Sequence, residues 1–182
     1  MNRKVHESDG KIFISAQAQI EVEEEESKRH ESTMLFQSID VQGNVIWERD
    51  IPLPEYVLNP DDNDPLITPI SMTSSVGLEY PQPYQLLRRV VASRPSPKHG
   101  VQTQLFTTPD FFVYWGKNFI IVLDIKTGAE LASYGFRYGV LLSVEGEKLL
   151  LDYISDYFGQ TRASLDSADE RRKRVMRYDV VG

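Results

Sequence analysis

The chain contains no cysteine among its 182 residues. That excludes a disulfide framework, Cys-ligated zinc, an iron–sulfur cluster and a thiolate nucleophile. Long apolar runs are missing too. Those present, such as residues 119–123 and 149–151, fall far short of the ~20 residues a membrane helix needs. The N-terminus carries Arg3 and Lys4 with no apolar segment behind them, so it does not read as a signal peptide. No membrane span and a cytoplasmic location are therefore expected. Histidine is scarce: His6, His30 and His99 lie in separate polar segments, without the spacing that metal ligands require. Neither a Gly-x-Ser-x-Gly elbow nor a phosphate-binding glycine loop occurs. No catalytic, cofactor-binding or metal-ligating residue is assigned, and no cofactor is expected.

Charge is present but unevenly placed. Residues 1–64 hold 6 Lys/Arg against 15 Asp/Glu, a net of −9, while residues 65–182 hold 14 against 12. Much of the acidity sits in Glu21 and Glu23 to Glu26. Runs of this kind are expected to form solvated loops that keep strand edges from pairing. An acidic surface repels phosphates, which argues against nucleic acid as a partner. The second acidic cluster, Asp61-Asp62-Asn63-Asp64, lies among prolines and lacks the glycine and closing glutamate of an EF-hand loop.

Periodicity is mainly that of strands. From Ile12 to Val22 the even positions are mostly aliphatic and the odd ones mostly polar, which places one row against a core and one in water. Residues 34–39, 45–47 and 66–72 read as further strands, with a tight turn at Gln42-Gly43-Asn44. Residues 85–92 carry the stripe of a short helix between Pro83 and Pro95. Residues 102–107, 111–115, 119–125, 130–136 and 140–144 are strands bounded by glycine turns. Residues 148–158 fit a helix nearly as well as a strand. Were they helical, Asp152 and Asp156 would share a face, a weak hint of an acid–base pair. Residues 167–174 carry a capping-box pattern and a basic run, and 175–181 are strand-like. The expected fold is mainly β, an antiparallel meander with one or two short helices.

One pattern recurs. A strand ends in Asp40 and is followed by Gly43; another ends in Asp124 and is followed by Thr127 and Gly128. The aspartate can accept turn amides and the glycine can take positive φ. Across residues 111–136 this resembles the quinoprotein-type β-propeller repeat, whose blades carry a Leu-Asp-x-x-Thr-Gly turn and then a tryptophan. That tryptophan is present as Trp47 in the first copy, whereas Ala132 stands there in the second, and the first copy lacks the threonine. The resemblance implies propeller-like blades at about 1–54, 66–137 and 138–182, with a loop at 52–65. They would form one domain or part of a larger ring; a β-sandwich or barrel is the alternative. It does not carry pyrroloquinoline quinone to this chain, because a Cys-free chain cannot make those enzymes' vicinal disulfide.

Function is read from what remains. Non-enzymatic relatives of such repeats bind other proteins, and a protein partner, basic in charge, is expected here. Tyr114, Trp115, Tyr134 and Tyr138 are the candidate contact residues, since Tyr and Trp are enriched at interface hot spots. The alternatives are an acidic inhibitor of a basic protein and an unrecognised lyase or hydrolase. Blades that do not close a ring would leave strand edges open to self-association.

Overall fold

The computed structural model describes residues 2–25, 27–53, 67–72, 83–97, 103–137, 140–153 and 175–177. Among them, strands dominate and all pair antiparallel. The first sheet is a meander of β1 (Asn2–Ser8), β2 (Lys11–Glu24), β3 (Ser27–Ile39) and β4 (Val45–Leu53), in that spatial order. Next come β5 (Ile67–Met72) and helix α1 (Pro83–Ser93). The second sheet adds β6 (Gln104–Thr107), β7 (Phe111–Trp115), β8 (Phe119–Asp124) and β9 (Glu130–Phe136), in the order β5-β9-β8-β7-β6. The third sheet is β10 (Val140–Glu145), β11 (Lys148–Tyr153) and β12 (Val175–Arg177).

The second sheet is the middle layer. All five residues of β7 and the first five of β8 are buried, so these strands read as continuous apolar runs rather than alternating ones. One face offers Phe112, Tyr114, Phe119, Ile121 and Leu123 to Phe13, Met34, Phe36, Trp47, Ile51 and Leu53 of the first sheet. Rings interlock there: Phe13 stacks on Phe112 at 5.1 Å between centroids, and Phe36 meets Phe112 edge-on at 5.8 Å. Such pairs contribute ~0.5–1.5 kcal/mol beyond the area they bury. The opposite face packs Phe111, Val113, Trp115, Val122 and Tyr134 against Leu86, Leu87, Val90 and Val91 of α1 and against Val140, Leu149 and Leu151 of the third sheet.

The two repeated turns have the geometry their residues require. Asp40 Oδ1 accepts the amides of Gln42 (3.0 Å) and Asn44 (2.8 Å), and Gly43 has φ 88°. Asp124 Oδ1 accepts the amides of Lys126 and Thr127, both at 2.9 Å, with the Thr127 hydroxyl at 3.1 Å; Gly128 has φ 71°. The first repeat then grips the second. Trp47 lies over Gly128, where an added Cβ would come within 2.5 Å of the indole. Its Nε1 donates to the carbonyl of Ile125 at 3.0 Å, and Arg49 donates to the carbonyl of Thr127 at 3.0 Å.

Several expectations need correction. The acidic run is not a loop: Glu21, Glu23 and Glu24 continue β2, which pairs with β3 from Ile12↔Ile39 to Glu24↔Ser27. Polar residues extend a strand here because the ribbon needs only backbone partners. Residues 2–8 form an edge strand that polarity on both faces hid from the periodicity. Asp152 lies in β11, so helical spacing to Asp156 does not apply; Asp156 lies outside the described residues. Tyr138, residues 54–66, 154–174 and 178–182 also lie outside them, and with them the acidic cluster and the capping box. Among the described residues the strands form three separate antiparallel sheets, and no closed barrel or propeller is present.

Two glycines separate the causes of strain. Gly43→Ala meets nothing within 4 Å and carries only the positive-φ penalty, roughly 1 kcal/mol. Gly128→Ala adds displacement of Trp47, for a total of roughly 2–4 kcal/mol. Denaturant melts of both variants check this, and equal losses would contradict the Trp47 contact. The Asp40 carboxyl is held below its ordinary range, first by the Asn44 amide. Its contribution to stability is therefore present above the unfolded value of ~3.9 and fades as pH falls through the lower folded value. An NMR titration should place the Asp40 midpoint below that of an unfolded-chain aspartate.

Candidate functional site

The first sheet has two faces, and among the described residues a second layer packs on one of them. Its inner face carries Phe13, Ser15, Met34, Phe36 and Trp47, all buried. Its other face carries the even positions of β2, Ile12, Ile14, Ala16, Ala18, Ile20 and Val22, of which Ile12 and Ile20 are exposed, Ile14, Ala18 and Val22 half-buried and Ala16 buried. This is the aliphatic row the alternation would assign to a core. Two positions make the inversion plain: Ile12 is 37% and Ile20 53% exposed, while Phe13 between the layers is fully buried. Period 2 cannot name which row faces in, and on β2 the larger ring of Phe13 decides it, through Phe112 and Trp47.

Register assembles this row into a patch. Val5 lies opposite Ile14, Ile39 opposite Ile12 and Leu35 opposite Ala16. Val45, paired with Ile39, continues it onto β4. Around the patch stand Glu7, Glu31, Glu48 and Asp50, with Arg3 opposite Ala16 and Arg29 at the register position opposite Val22. The outer face is thus an apolar centre with an acidic rim. Exposed apolar surface gathered in one place marks an interaction site far better than scattered single residues do.

Beyond Gln17 and Ser32 neither β1 nor β4 continues, so residues 18–24 and 27–31 project as a two-stranded arm. Glu21, Glu23 and Glu25 are exposed on it, and Lys28 pairs with Glu21 at 2.6 Å.

The aromatic residues expected to bind a partner are elsewhere. Tyr114 (8% exposed), Trp115 (5%) and Tyr134 (fully buried) belong to the middle layer. They cannot form a contact surface: β7, which carries the first two, is covered on both sides, and Tyr134 of β9 is buried in the core shared with α1 and the third sheet. Burial pushes the phenols of Tyr114 and Tyr134 up; Thr103 hydrogen-bonds the former and the Leu87 backbone the latter. Trp115 lies under the Arg94 guanidinium, 3.9 Å from its centroid. Asp40, Gly43, Asp124, Thr127 and Gly128 shape turns, as described above.

Among the described residues no group of three His, Asp or Glu is placed to hold a metal ion. No helix among them is long and apolar enough to cross a membrane.

Tyr134→Phe tests the reassignment of the aromatics. Losing the hydroxyl's hydrogen bond should lower stability by about 1–2 kcal/mol in a urea melt. It should leave the β1–β4 outer face unchanged by amide chemical shift. Shifts concentrated on that face would contradict the separation of core and surface.

Compared with family models, with curated proteins and with solved structures, the chain matches none of them.

Proposed function

We propose that the chain is a non-enzymatic protein-interaction module that uses the outer face of the β1–β4 sheet. The observation that carries this is the aliphatic row of β2 facing away from the core. Aliphatic side chains left in water on this face offer no folding gain, whereas burying the exposed parts of Ile12 (37%) and Ile20 (53%) against a partner would contribute roughly 1 kcal/mol each. The partner that fits is a protein surface with an apolar centre and a basic rim, complementary to Glu7, Glu31, Glu48 and Asp50. A second copy fits less well. Two-fold pairing of this face would set its acidic rim against itself. Anionic lipid and nucleic acid are disfavoured by the same charges.

The propeller-type reading belongs to this proposal. Three antiparallel sheets follow one another in the chain; the first shares a core with the second, the third shares one with the second and with α1, and Trp47 of the first locks onto the Gly128 turn of the second. These features support blade-like units. On that reading the open β1–β4 face is where another sheet would continue the stack.

A second reading, an acidic inhibitor of a basic protein, is favoured by the arm and its Glu21, Glu23 and Glu25. The two readings diverge under mutation. Ile12→Ser with Ile20→Ser should leave the melting temperature within a few degrees, since both side chains are exposed. It should weaken partner capture from native lysate by roughly 50-fold, corresponding to ~2.3 kcal/mol. Lysine at positions 21, 23 and 25 should change capture little beyond its salt dependence. The reverse pattern would establish the inhibitor reading. Capture indifferent to both sets would refute the use of this sheet.

A further inference from the structure

A cleft lies beside the open face, with Val5 at their common border. β1 and β6 are edge strands of different sheets and run beside each other. Between them and residues 95–96 is a cleft of about 510 Å³, within the ~300–1,000 Å³ range of small-molecule sites. Lys4, His6, Ser96 and Thr103 supply its polar lining, and Leu105 and Phe106 its apolar lining; none of its lining residues is a carboxylate. That is unusual in a chain whose first 64 residues carry a net charge of −9.

We infer that this cleft binds a small organic acid, with the carboxylate held by Lys4 and an apolar body against Leu105 and Phe106. Lys4 is half-buried and makes no ion pair among the described residues. A partly desolvated ammonium without a counter-charge favours an anion more than a fully hydrated one does.

The walls are held in place. Arg94 lies flat on Trp115, and its Nε donates to Gln104 Oε1 at 2.8 Å; Gln104 Nε2 donates to the carbonyl of Pro95 at 3.0 Å. Both ends of Gln104 are thereby used, so it serves as a wall. On the other side Thr107 Oγ1 donates to Ser8 Oγ at 2.8 Å and lies 3.4 Å from His6 Nε2. Burial lowers the His6 pKa, so the ring is neutral at pH 7. Among the cleft's described lining residues Lys4 then supplies the positive charge. One ammonium suits a carboxylate monoanion, whereas a phosphate dianion is better matched by a bidentate guanidinium, and the only arginine beside the cleft among the described residues is occupied with Gln104. A metal cation would find no carboxylate among the described lining residues.

The probe is benzoate, with benzyl alcohol as its neutral counterpart and inorganic phosphate as the competing anion. Each is titrated into the full-length chain and followed by amide NMR. Benzoate should shift the amides of His6, Leu105 and Phe106 saturably. Benzyl alcohol should bind roughly tenfold or more weakly, and Lys4→Met should weaken benzoate by a similar factor. Lys126→Met, on the exposed Asp124 turn, should change nothing. Lys4 lies on an edge strand, so the variant should fold; Lys4→Gln serves if it does not. The inference is overturned if benzoate fails to saturate by roughly 20 mM, if benzyl alcohol binds as well, if neither Lys4 variant weakens binding, or if phosphate binds more tightly.

Discussion

The structure depends on one constraint: the β7–β8 hairpin is apolar on both faces. Phe111 to Trp115 and Phe119 to Leu123 offer no polar row to water. A sheet built on them must be covered twice. One cover is the first meander, bringing Phe13, Phe36 and Trp47; the other is α1 with the third sheet, bringing Leu87, Val90, Leu149 and Leu151. The layered arrangement follows from that demand, and so does the burial of Tyr114, Trp115 and Tyr134. Aromatic residues on a doubly covered strand cannot also be a docking surface.

Layering also explains why the outer face of β1–β4 carries the functional reading. A stack of sheets has two ends, and at this end the chain retains an aliphatic row where a terminal layer in water would normally place polar side chains. The acidic rim around it restricts what can cover it. The cleft between β1 and β6 arises from the same geometry. Two sheets that pack face to face leave a seam where their edge strands run side by side, and there the surface switches from acidic to basic at Lys4.

Much of the fold was legible in the residues, for identifiable reasons. Strands punctuated by Gly43, Gly128 and Gly146 announced themselves because a positive-φ turn has a narrow chemistry. The helix at Pro83–Ser93 was readable from its spacing. Three features were not. Residues 2–8 mix charges on both faces, so nothing marks them as a strand except pairing with β2. The run of glutamates looks solvated, and Glu21, Glu23 and Glu25 are exposed, yet backbone pairing with β3 as far as Glu24 keeps it extended. Most consequentially, alternation from Ile12 to Val22 shows two rows without saying which is buried; only the partner layer decides, through Phe112 and Trp47 meeting Phe13. The candidate interface was hidden behind that ambiguity, while the more visible aromatics drew attention to the core. The cleft was invisible for another reason, since it joins residues about a hundred positions apart.

The most direct test of the account is site-specific photo-crosslinking in native lysate of the source organism. A photoreactive residue is placed at Ile12 on the outer face or, as a control, at Lys126 on the Asp124 turn. The account predicts a discrete adduct with another protein from position 12, mapping to an apolar patch rimmed by Lys and Arg, and none from position 126. Adducts formed equally from both positions, only with a second copy of this chain, or from neither would contradict it.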